Sequence, residues 1–223
     1  SGRKAIQQGG GRFAAWGEGL FWRYESLLKR LESDIGSIAT ADGEIFAVRR
    51  DLFRPIPEDI IHDDMALTLN LIRQGYRVLY EPHAVSFEEA SKRVVDEFYI
   101  KTRMAAGGFQ VLRKFRDLFL PPRGLFGLLF LSHKALRWMG PLWIILAFAS
   151  NLFLTDPLYR ATLAVQVAFY TLALWGFLRS RQGKGSGALC LPFYFCLTHV
   201  ALLNGLWRFL AGTHGPAWRK AER

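Results

Sequence analysis

From Leu125 onward the chain reads as long apolar runs separated only by short basic or Pro/Gly breaks, and this feature limits its fold more than any other. Residues 136–154, 158–178 and 188–210 each approach the roughly 20 residues that cross a bilayer as a helix. Pro192, His199 and Asn204 interrupt the third run, so it reads either as a simple crossing or as a kinked or re-entrant segment. Up to about Asp117, by contrast, charged and apolar residues alternate as in a soluble domain. Two regimes therefore share one chain of 223 residues that is 51% hydrophobic and 14% aromatic.

The net charge of +10 fits the same reading. Basic residues sit beside the apolar runs: Arg113, Lys114, Arg116 and Arg123, then Arg179, Arg181 and Lys184, then Arg219, Lys220 and Arg223. That is the positive-inside distribution of a membrane protein. No nucleic-acid-binding motif and no basic patch with interleaved aromatics is present, so the expected surface partner is a membrane and not a nucleic acid. Three crossings would leave the basic C-terminus on the side opposite the Arg179–Lys184 loop, in conflict with the rule at that end. Cys190 and Cys196 lie six apart in an apolar run, on different helix faces, with no partners for a disulfide or a metal site. The chain opens on Ser1 without a signal pattern, which suggests a start inside a longer protein.

Residues 1–17, rich in Gly and Arg, read as a loop. Leu20, Phe21, Tyr24, Leu27, Leu28 and Leu31 predict an amphipathic helix over 18–33 whose apolar face needs a sheet. Trp16, Trp22 and Tyr24 would anchor it. Residues 43–49 and 76–80 predict short strands, with a helix between them opening at Asp63-Asp64 and closing at Gly75. A further helix over 91–115 crosses Gly107-Gly108, where it either bends or continues. Residues 115–130 suit a segment lying at a membrane surface. The order is α/β, and the divisions are 1–115, 116–135 and 136–223.

Asp63-Asp64 is the pair most able to carry chemistry. A carboxylate at a loop-to-helix junction can act as general base, or it can simply cap the helix. His62 is placed to hydrogen-bond one of the two carboxylates, and His83 ends a strand.

The blocks 61–67 and 73–84, which run Ile61-His62-Asp63-Asp64-Met65-Ala66-Leu67 and then Arg73-Gln74-Gly75-Tyr76-Arg77-Val78-Leu79-Tyr80-Glu81-Pro82-His83-Ala84, resemble the acidic-pair region of family 2 glycosyltransferases. This family includes cellulose, hyaluronan and poly-N-acetylglucosamine synthases. The resemblance implies the C-terminal part of a GT-A-type domain followed by transmembrane helices. By match, Asp64 is the catalytic base and Asp63 its neighbour. The Asp42-Gly43-Glu44 turn is similar to the one that floors the acceptor pocket, which makes Gly43 substrate-facing.

Where processive members carry Gln-x-x-Arg-Trp, this chain has Ile100, Arg103 and Met104. Arg103, and more weakly Lys101, are the implied contacts to the leaving diphosphate. No Asp-x-Asp occurs, so the divalent metal (Mg or Mn) expected in the full-length enzyme would have its ligands elsewhere, and this part alone is expected to be inactive. The implied partners are a nucleotide-sugar donor, a lipid or glycan acceptor and the membrane. The implied location is the inner (plasma) membrane, multi-pass, with the catalytic part cytoplasmic. The competing reading is a non-catalytic transport or scaffold protein.

Overall fold

The computed structural model describes residues 1–7, 12–89, 94–120, 124–182, 187–213 and 215. Gly9-Gly10-Gly11, Ser91, Pro121-Pro122, the side chain of Trp16, and the basic residues Arg123, Lys184, Arg219, Lys220 and Arg223 lie outside the described residues.

The N-terminal residues form a strand where a loop was expected. β1 (Arg3–Gln7) pairs in parallel with β2 (Val85–Glu89), Arg3 opposite Val85 and Gln7 opposite Glu89. The two segments expected as strands are not strands. Residues 76–80 are extended, but Val78 and Tyr80 donate their N–H groups to the hydroxyls of Ser37 and Ser33 at 2.9 and 2.7 Å. Side-chain oxygens thus take much of the place of a ladder, beside backbone bonds from Ile38 N–H to the Val78 carbonyl at 2.9 Å and from the Ser1 amino group to the Leu79 carbonyl at 2.8 Å. Over residues 43–49 the chain turns at Asp42-Gly43 and meets the N-terminal segment through a backbone bond, Gly2 N–H to the Ile45 carbonyl at 2.9 Å, and the Lys4–Glu44 ion pair at 2.7 Å.

Helix α1 spans Arg12–Ile35 and contains the expected 18–33. Its orientation reverses the expectation. Glu25, Lys29 and Glu32 are 4%, 3% and 2% exposed, whereas Tyr24, Leu27, Leu31 and Ile35 are about half exposed. The buried face is ionic because later residues meet it. Glu25 pairs with Lys134 and with Arg137 (3.0 Å), Glu32 with His133 (2.9 Å), and Lys29 with Asp42 (2.5 Å). Trp22 lies under the Lys4 ammonium, 4.8 Å from the ring centroid, which ties α1 to β1.

Helix α2 (Asp63–Arg73) starts at the acidic pair and buries Met65, Ala66, Leu67, Thr68, Leu69 and Leu71. Gly75, at φ +86°, lets the chain leave it. Helix α3 (Val94–Lys114) is continuous through Gly107-Gly108. These glycines mark close packing and no break: a Cβ on Gly107 would stand 2.4 Å from the His62 ring, and one on Gly108 2.7 Å from Trp138.

Short helices α4 (Arg116–Phe119) and α5 (Gly124–Phe130) follow. Phe119 and Phe130 stack in the core with ring centroids 4.1 Å apart, joined there by Met65, Leu69, Phe109 and Trp138. A π-helical turn (Leu131–Ala135) and α6 (Leu136–Trp138) carry His133, Lys134 and Arg137.

Beyond these lie α7 (Gly140–Phe153), α8 (Pro157–Arg181) and α9 (Cys190–Leu210). Helices α8 and α9 are each long and apolar enough to cross a membrane. The expected first span, 136–154, is not one straight rod. The stretch Gly124–Trp138 meets α7 at 61°, which makes it a broken span or a re-entrant hairpin. Most of α8 faces outward, with Val165, Leu174 and Trp175 more than half exposed, as a lipid-facing helix requires. Helix α9 also runs against α3, where Phe209 meets Phe109 with ring centroids 6.0 Å apart and Asn204 bonds Thr102. A membrane-length helix therefore buttresses the helix that carries Arg103.

Candidate active site

The loop entering α2 is stitched to α3 at four points. Gln110 donates Nε2–H to the Asp59 carbonyl (2.8 Å) and accepts the Ile61 N–H (3.0 Å). Arg103 Nη2 donates to the Ile61 carbonyl (3.3 Å), and His62 Nε2 lies 2.8 Å from the Met104 carbonyl. These bonds fix the first turn of α2 and so fix the two carboxylates that open it.

At that turn both acids serve the helix. Asp63 Oδ1 accepts the Asp64 N–H at 3.0 Å, and Asp64 Oδ1 accepts the Met65 N–H at 2.7 Å. Asp64 Oδ2 accepts no hydrogen bond among the described residues, and it faces Gly43, on which a Cβ would stand 3.5 Å away. One oxygen of the Asp64 carboxylate thus caps the helix, and the other is left open beside Gly43. Asp63 is exposed; the Asp64 side chain is 27% exposed, enough for a ligand to reach it.

Burial pushes the Asp64 carboxyl above its ordinary value, and the charges of Asp63 and Glu44 add to this. His62 and the Met65 N–H pull the other way. On α3, Arg103 is half-buried. Desolvation lowers its guanidinium, while the charges of Asp63 and Asp64 raise it.

The structure therefore brings together Asp63, Asp64, Gly43 and Arg103. Lys101 it places elsewhere. Two residues from Arg103 on the same helix, Lys101 points away, pairing with Glu97 at 3.6 Å and lying 4.9 Å from the centroid of the Tyr194 ring. His83 is exposed at the surface. Among the described residues no three His, Cys, Asp or Glu side chains stand close enough to hold a metal ion, so the expected divalent metal finds no donor set here. Sequence reasoning missed the contact of His62 with α3. Its only trace in the sequence was the Gly107-Gly108 pair, which signals a close approach without saying to what.

No curated protein sequence and no solved structure matches the chain. A family model described as Glycosyl transferase family group 2 matches residues 3–207, which covers the acidic pair, α3, α8 and all but the last three residues of α9. The chain belongs to glycosyl transferase family group 2.

Proposed function

We propose that the protein transfers a sugar, with inversion, from a nucleotide diphosphate donor to a lipid-linked or polysaccharide acceptor at the cytoplasmic face of the inner membrane. Asp64 is the base. An acceptor hydroxyl gives its proton to Asp64 Oδ2 as its oxygen attacks the anomeric carbon. The bond to the diphosphate breaks on the opposite face of the sugar, and its electron pair leaves with the phosphate oxygen. Arg103 supplies positive charge for that leaving group. Asp63 positions Asp64 through the N–H bond at the helix start, and Gly43 keeps the approach to Oδ2 open. The GT-A architecture implied by resemblance belongs to this same proposal.

The observation that carries the reading is the division of Asp64: Oδ1 held by the helix, Oδ2 free beside a glycine, and Arg103 acting on the same carboxylates. The test is transfer of radiolabel from uridine-diphosphate sugars into lipid and polysaccharide fractions by the full-length membrane protein. Asp64→Asn is expected to cut the rate of incorporation by about a hundredfold or more while membrane insertion is unchanged. Incorporation within about tenfold of wild type in this variant contradicts the assignment and leaves the acidic pair as a helix cap in a transport or scaffold protein.

A further inference from the structure

His62 immediately precedes the acidic pair, and its side chain is 13% exposed. Its Nε2 lies 2.8 Å from the Met104 carbonyl, and a carbonyl only accepts, so Nε2 carries a hydrogen. The ring is clamped there because Gly107, one turn on in α3, has no side chain; any Cβ would stand 2.4 Å from His62 Cδ2. With Nε2 committed, the remaining nitrogen, Nδ1, faces Asp64 Oδ1 at 3.9 Å. This is the oxygen already held by Met65 N–H, not the one open to an acceptor.

The charged group that faces the imidazole is Asp64, whose carboxylate also feels Asp63 beside it and Glu44 on the turn that follows Gly43, while Asp63 and Asp64 act in turn on Arg103 of α3. Two acids, Asp63 and Glu44, crowd the partly buried Asp64 carboxylate, which must be ionised to act as base. A cation at His62 Nδ1 offsets that crowding without occupying Oδ2.

We propose that His62 is a positioning residue for the base: clamped by the Met104 carbonyl and the Gly107 gap, it presents a protonatable Nδ1 to Oδ1 of Asp64 and favours the ionised carboxylate. This rests on the assignment of Asp64 as base. His62 takes no proton from the acceptor. It shapes the acid limb of the pH profile, where Asp64 gains or loses its charge and the imidazole is protonated.

The experiment measures the pH dependence of sugar transfer by the full-length protein as wild type and as His62→Gln, with Asp64→Asn as control. Gln retains an N–H for the Met104 carbonyl but cannot carry a charge. Its acid limb is expected to move to higher pH by roughly one unit, the coupling of two charges about 4 Å apart in a water-like dielectric. Transfer at alkaline pH is expected to change less than threefold. A second reading needs no His62 variant: by reciprocity, Asp64→Asn lowers the imidazole titration of His62, followed by 15N-histidine NMR in detergent, by a similar amount. Unmoved acid limb and unmoved imidazole titration overturn the role of His62, while an inactive Asp64→Asn leaves the base assignment standing. An active Asp64→Asn removes the base assignment and this inference with it.

Discussion

Asp64 carries a stability cost that follows from its burial. Its carboxyl titrates above the ordinary 3.8 in the fold. Below that value the group is protonated in both folded and unfolded chains and costs nothing. As pH rises through the folded value, the folded state must give up a proton it holds more tightly, and stability falls. Asp64→Asn keeps an oxygen for the Met65 N–H and removes the charge. Its melting temperature is expected to exceed wild type at neutral pH, with the difference closing near pH 3.8; a difference independent of pH would show that the charge is not responsible. Gly43 permits a second test at the same scale. A Cβ at 3.5 Å is in ordinary contact with Asp64, so Gly43→Ala should fold as wild type. Larger side chains stand in front of Oδ2, and Gly43→Leu is expected to raise the acceptor KM about tenfold or more with donor affinity unchanged. Equal loss for donor and acceptor would place Gly43 outside the acceptor path.

At the scale of elements, α1 and α3 show what periodicity can and cannot convey. The apolar stripe of α1 was legible in the sequence, but the side that faces the interior was not. Glu25, Lys29 and Glu32 lie on one helix face at spacings of four and three, and their partners Lys134, Arg137, His133 and Asp42 are up to 112 residues away. No local pattern reports such pairing. Burial alone would raise Glu25, but the charges and hydrogen bonds of Lys134 and Arg137 outweigh it and hold the carboxyl at about 2. The stabilisation is therefore full above pH 4.5 and is lost as pH falls toward about 2. Glu25→Gln strands a buried ammonium, and it is expected to cost about 3–5 kcal/mol by denaturant unfolding at neutral pH. A change under 1 kcal/mol would mean that the pair is not formed.

Helix α3 gives the complementary case. Gly107-Gly108 pointed equally to a bend or a continuous rod, because a glycine pair marks weakness and close contact alike. The structure resolves it through His62 and Trp138. Gly107→Ala is expected to destabilise by about 1–3 kcal/mol through overpacking and to move the acid limb of transfer as His62→Gln does; destabilisation with an unmoved profile would separate packing from the base. The helix beginning at Asp63 was fully readable, since acid start, apolar run and Gly75 all agree. The strands were less readable. Residues 43–49 and 76–80 have strand composition, but along 76–80 Ser33 and Ser37 supply bonds that a neighbouring strand would have made.

Across the whole molecule, the catalytic candidate and the membrane candidates share packing and do not merely follow one another in sequence. Helix α9 lies along α3, and the π-helical turn that precedes the membrane helices locks onto α1 through Glu25 and Glu32. If α8 crosses the bilayer, cysteines introduced at Thr155→Cys and Gln182→Cys are expected to react with impermeant maleimide from opposite sides; labelling from one side only would remove that crossing.

The most direct test of Asp64 as base separates donor binding from turnover in the full-length enzyme. Asp64→Asn is expected to bind the nucleotide sugar within about twofold of wild type while single-turnover transfer falls by about 10²–10⁴, the range contributed by a general base. Turnover within tenfold of wild type, or loss of donor binding together with turnover, would contradict the account.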